Sequence, residues 1–133
     1  MTQELELTNA NRLHLAEAFR HNRRVDYSLD CVIEGQMGRA YVDDPERPAA
    51  WRVTIGPFWY FAGEADSPGG RALMAEFPAY NLLMPSPPAW VALAKETFGD
   101  RLVSFPRYSF AADQLSEAHL AALLDGSPHR DHV

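Results

Sequence analysis

The sequence predicts one α+β domain with elements in the order α α β β β α β α β α. Three observations predict it: apolar residues at helical spacing near both ends of the chain, a switch to period two after Gly38, and glycines and prolines placed between the periodic segments. The chain has 133 residues, 47% hydrophobic and 23% charged, which suits a single globular domain.

The first helix is predicted over roughly residues 8–22, where Leu15, Ala18 and Phe19 fall on one stripe. Val25, Leu29, Val32 and Ile33 repeat the spacing, with Asp26 as N-terminal cap and Gly35 as stop. Ala40 and Val42 then alternate with Arg39, Tyr41 and Asp43, and the run Asp43-Asp44-Pro45-Glu46-Arg47-Pro48 reads as a turn. Trp51, Val53 and Ile55 alternate with Arg52 and Thr54 in a second strand, closed by Gly56-Pro57. Phe58-Trp59-Tyr60-Phe61 is apolar at every position, which predicts a strand in the middle of the sheet, covered on both faces.

Ser67 and Pro68 supply a cap and a first-turn proline for a helix over 68–77. Asn81 to Met84 is a short strand, and Ser86-Pro87 repeats the helix start ahead of Trp90, Leu93, Ala94 and Phe98. Gly99 ends that helix. Residues 101–110 alternate again, with Val103 and Phe105 opposite Leu102 and Ser104, and Pro106 confines this strand to an edge or a bulge. A last helix is expected after Ser116, with a Leu115–Leu120 staple and with Leu120, Leu123 and Leu124 facing inward. Residues 1–126 therefore form the domain, and 127–133 a polar tail or a linker to a further domain.

Charge and composition exclude several functions. Twelve Lys plus Arg against eighteen Asp plus Glu leave a net charge of −6, unsuited to nucleic acid or anionic lipid. No apolar run reaches membrane-spanning length, and the opening Met-Thr-Gln-Glu-Leu-Glu lacks the features of a secretory signal. The one cysteine, Cys31, pairs with nothing, reads as a small buried hydrophobe and suits the cytoplasm. His14 and His21 lie two helical turns apart, His129 and His132 fall in the tail, and no metal site is expected.

Chemistry is expected where the aromatic strand feeds Ser67-Pro68-Gly69-Gly70-Arg71-Ala72. Glycines at a helix start let an anion approach free backbone N–H groups, and the helix dipole favours negative charge there. The same stretch is also an ordinary helix start, since glycine serves tight turns in its own right.

The element order and this loop resemble the GNAT acyltransferases. That family's pyrophosphate loop reads Arg or Gln, two residues, Gly, one residue, then Gly or Ala; Gly70 and Ala72 fit, and Ser67 stands where Arg or Gln is expected. Gly35 to Ala40 is a second partial fit, but it leads into a strand. A closer resemblance covers residues 25–124: Val32-Ile33-Glu34-Gly35, Gly38 to Pro45, Phe61-Ala62-Gly63-Glu64 and Arg107-Tyr108-Ser109-Phe110 are similar to the N-terminal, degenerate half of bacterial two-part GNAT proteins.

The resemblance implies a mostly antiparallel sheet flanked by helices. It also implies a weak or vestigial acetyl-CoA site at Ser67, Gly69, Gly70, Arg71 and Ala72, and a C-terminal GNAT domain or a second copy as partner. Where the family often places a general-acid tyrosine, four residues before the glycine ending the penultimate helix, Lys95 stands, and no catalytic residue is assigned. Asp43 and Asp44, with Glu46, are candidates for a cationic substrate, though Asp-Pro pairs also start turns. Arg107 and Tyr108, just past Pro106, are further substrate candidates. The expected function is the substrate-side or scaffolding module of an acetyl-CoA-dependent N-acetyltransferase; the alternative is a non-enzymatic binding or dimerisation module.

Overall fold

Alternation over residues 39–55 and the unbroken apolar run at 58–61 build three adjacent antiparallel strands, β2 (Arg39–Val42), β3 (Ala50–Ile55) and β4 (Phe58–Gly63). In the computed structural model, which describes residues 2–108, 111, 113 and 116–128, two more strands complete a sheet ordered β1-β2-β3-β4-β5. β1 (Gln3–Leu5) pairs antiparallel with β2, and β5 (Leu82–Leu83) pairs parallel with β4. The helices described are α1 (Asn9–Ala18), α2 (Ser28–Ile33), α3 (Pro68–Ala75), α4 (Pro88–Phe98) and α5 (Glu117–Asp125), with a 3-10 turn at Gly99–Arg101. The α+β class and the mostly antiparallel sheet are as expected.

Successive side chains of a strand point to opposite faces, so the sheet feeds two cores. On one face Val42, Trp51, Val53 and Tyr60 meet Leu15 and Phe19 from α1 and its end, and Leu29 and Val32 of α2. On the other, Ala50 and Phe61 meet Leu73 and Met74 of α3 and Trp90, Leu93 and Ala94 of α4. Cover on both sides explains the unbroken aromatic run in β4, an interior strand one in from the β5 edge. Trp90 locks α4 to that strand: its ring stacks on Phe61 at 4.9 Å between centroids, and its indole N–H donates to the Gly63 carbonyl at 3.1 Å. On the α1 side, the Asn22 amide donates to the Phe61 carbonyl at 2.9 Å.

Several expectations are corrected. Residues 102–108 form no strand, and Val103, Phe105 and Tyr108 are exposed; positions 109 and 110 lie outside the described residues. Alternation makes a strand only where a neighbouring edge pairs with it, and no described strand pairs with 102–108. β1 itself is too short and polar to show a period. The leucines of α5 share a face as expected, but Leu120, Leu123 and Leu124 are 51%, 59% and 42% exposed, because none of the described structure buries them. The Leu115 half of the staple lies outside the described residues.

Caps also differ in detail. Ser67 and Ser116 accept the amides of Gly70 and His119 as expected. Ser86 instead donates to the Met84 carbonyl, and Pro87 occupies the cap position of α4 without a side-chain bond. α2 starts later than expected, at Ser28, whose amide is accepted by Asp26 at 2.8 Å. Cys31 is half-buried.

Trp90→Ala should lower stability by about 3–5 kcal/mol, the range for deleting a fully buried large aromatic. Urea unfolding followed by circular dichroism measures it; a loss under about 1 kcal/mol would mean that α4 is not locked to the sheet as described.

Candidate functional site

β4 and β5 run parallel, joined through α3, and ligands of open sheets usually sit beyond the carboxyl ends of such strands. The expected loop, Ser67 to Ala72, lies there, at the entry to α3. Gly63 turns the chain with φ +82, so close to β3 that a Cβ would run into the Ala49 carbonyl. Ser67 then donates to the Glu64 carbonyl at 2.8 Å and accepts from the Gly70 amide at 2.9 Å.

Both loop glycines are required by packing. A Cβ on Gly70 would strike the carbonyl oxygens of Glu64 and Ala65, and one on Gly69 would strike the side chain of Asp43. Asp43 is held in place by the turn between β2 and β3: its Oδ1 accepts from the amides of Ala49 at 3.0 Å and Ala50 at 3.1 Å.

The donors left for an anion are few. Pro68 has no N–H, Gly70 gives its own to the Ser67 hydroxyl, and Arg71 gives its backbone N–H to the Ser67 carbonyl at 3.0 Å. Gly69 alone in this turn has an amide with no partner among the described residues. The guanidinium of Arg71 pairs with Glu96 at 2.8 Å and Asp66 at 3.7 Å, and the bond to Glu96 raises its pKa further. Ala72 is half-buried. A diphosphate here would gain one amide and face the Asp43 carboxylate; two unit charges of like sign 4 Å apart repel by about 4 kcal/mol at an effective dielectric of 20. The residues present do not fit a coenzyme A pyrophosphate.

The acidic turn is divided among three tasks. Asp43 serves the amides of Ala49 and Ala50, Asp44 accepts from the amides of Glu46 at 2.8 Å and Arg47 at 3.2 Å, and Glu46 lines a cleft of about 450 Å³ against α1. Leu5, His14, Glu17, Pro48 and Trp51 line the same cleft. Arg107 and Tyr108 are exposed, and no hydrogen bond or ion pair among the described residues joins them to the loop. Lys95 is exposed in the last turn of α4. Tyr60, at 3.5 Å from Asp26, has its pKa raised by burial and by the Asp26 charge. No group of three His, Cys, Asp or Glu is placed to hold a metal among the described residues, and no helix there is long and apolar enough to cross a membrane.

One buried charge was not anticipated from the sequence. Arg52, 3% exposed, lies between Tyr41 and Trp59, its guanidinium carbon 4.1 and 4.6 Å from their ring centroids. It pairs with Glu76, the residue that ends α3, and its Nε has no partner. Glu76 also accepts from the Thr2 hydroxyl, which ties the N-terminal strand to α3. Period two placed Arg52 opposite the apolar residues of β3; the all-apolar strand beside it was the signal that both faces are covered.

A protein-family model described as GNAT acetyltransferase matches residues 18–131, most of the chain. No curated protein and no solved structure matches it.

Burial pushes the Glu76 carboxyl up, but hydrogen bonds from Thr2 and Arg52 and the Arg52 charge outweigh it, leaving the group below its ordinary value of 4.5. A carboxyl depressed in the folded state stabilises the fold above 4.5, and that stabilisation is lost as pH falls through the native value. Glu76→Gln should therefore destabilise the protein at pH 7 by about 1–2 kcal/mol, reduced from the buried-pair range because the Glu76 side chain is 43% exposed. Melting curves of both proteins should converge below pH 4.5; a gap that persists into acid would remove the pair from the account.

Proposed function

Because the chain belongs to the GNAT acetyltransferase family, we propose that it is the substrate-side or scaffolding module of an acetyl-CoA-dependent N-acetyltransferase, similar to the front half of the two-part bacterial members. Its coenzyme A loop is weakened beyond use. The observation that carries this reading is the internal commitment of the loop: Gly70 to Ser67, Arg71 to Glu96 and Asp66, and Gly69 to its contact with Asp43. No acyl-transfer step is assigned to this chain. Substrate-side contacts fall to the exposed Arg107 and Tyr108, since the Asp43 and Asp44 carboxylates are taken up by turn amides. The single cysteine suits a reducing cytoplasm.

A second reading, a docking or dimerisation module, is favoured by a separate observation. Leu120, Leu123 and Leu124 of α5 are exposed, as are Val103, Phe105 and Tyr108. Single exposed apolar residues are ordinary, but a helix with an apolar face and no buried residue has gained nothing from packing. The two readings are compatible when the partner is a C-terminal GNAT domain or a second copy of this chain.

Isothermal titration of the protein with acetyl-CoA should give no binding heat up to about 1 mM ligand. Submillimolar affinity would contradict the weakened loop. In size-exclusion chromatography with light scattering, the chain should run heavier than its 14.9 kDa monomer, and Leu120→Glu with Leu123→Glu should return it to monomer without lowering its melting temperature. A strictly monomeric wild type that binds cofactor would count against both readings.

A further inference from the structure

We infer that Asp43 is the internal anion of α3: its carboxylate stands beside Gly69 where a phosphate oxygen would have to lie, so that this residue keeps pyrophosphate out. The inference deepens the reading of residues 67–72 as the position of the cofactor loop and rests on it. Three observations carry it.

Asp43 is tethered. Two consecutive amides, of Ala49 and of Ala50 at the start of β3, hold its Oδ1, so the carboxylate cannot swing away to admit a ligand without breaking both bonds. Its Oδ2 is the oxygen that crowds Gly69. A carboxylate near a helix N-terminus is favoured by the same backbone dipoles that would attract a phosphate, so the attraction is already answered from within the chain. The surroundings offer no replacement: the amides of Gly70 and Arg71 are bonded within the turn, and the Arg71 side chain is held between Glu96 and Asp66.

Gly69 therefore has a different task from the one its place in a glycine-rich loop implies. Its missing side chain makes room for Asp43. Ser67, the departure from the family pattern, takes one amide; Asp43 adds a charge of the wrong sign, and a charge acts on a diphosphate more strongly than a lost hydrogen bond.

Asp43→Asn tests this directly. Asparagine keeps an oxygen for the amides of Ala49 and Ala50 and turns an N–H₂ donor toward Gly69. Asp43→Ser is a second uncharged variant, with a hydroxyl for one of the two amides and less bulk at Gly69. Each would be checked for folding by circular dichroism, then titrated calorimetrically with acetyl-CoA and, separately, with inorganic pyrophosphate. The wild type should stay silent with both ligands at about 1 mM, and a folded variant should bind both, a gain of at least tenfold. Adding Ser67→Gly to Asp43→Asn frees the Gly70 amide and should tighten binding again. Folded variants that remain silent would overturn the role of Asp43 while leaving the weakened-loop reading intact. Submillimolar binding by the wild type would overturn both.

Discussion

The carboxylate of Asp43 is the point on which this half of the molecule converges. It satisfies two backbone amides at the start of β3, closes the turn that joins β2 to β3, and lies against the first turn of α3. The close approach is available only because Gly69 has no side chain. Gly63 and Gly70 permit equally tight approaches, to the carbonyls of Ala49, Glu64 and Ala65. The glycines of this region thus serve backbone packing, and the loop they build is filled by the protein's own groups.

The same face of the sheet is closed elsewhere. Trp90 stacks on Phe61 and bonds to the last carbonyl of β4, and Arg52 lies between Tyr41 and Trp59 with Glu76 beyond it. The polar groups of this face are committed inside the fold: Arg52 pairs with Glu76, Arg71 with Glu96, and Asp43 accepts from two backbone amides. Among the described residues, unspent apolar surface lies on α5 and at Val103, Phe105 and Tyr108, whose side chains meet solvent. The proposed docking role rests on this pairing of a loop committed to the protein's own groups with an exposed leucine row on α5.

Much of this was legible in the sequence. The strands from 39 to 55 announced themselves by period two, the strand at 58 by its unbroken apolar run, the helix at 68 by Ser67-Pro68, and the final helix by Ser116, because these are local signals that need no tertiary partner. The family was legible too, from motifs spread along the chain. What failed needed long-range knowledge. Residues 101–110 alternate like a strand, but the described stretch 102–108 pairs with no strand, and Gln3 to Leu5 lack any pattern yet pair with β2. The leucines of α5 form a row as their spacing predicts, yet that row is exposed, since periodicity identifies a face without identifying what covers it. Asp43 looked like a turn residue and is one, but its second contact, 26 positions away at Gly69, could come only from the fold.

The contact between Asp43 and Gly69 can be observed without any ligand. Nuclear Overhauser spectroscopy of the labelled protein should show cross-peaks between the Asp43 β-protons and the Gly69 α-protons, with the Gly69 amide unmoved when acetyl-CoA is added. Absence of those cross-peaks, together with a ligand-dependent shift of the Gly69 and Gly70 amides, would show that the helix mouth is open and contradict the account.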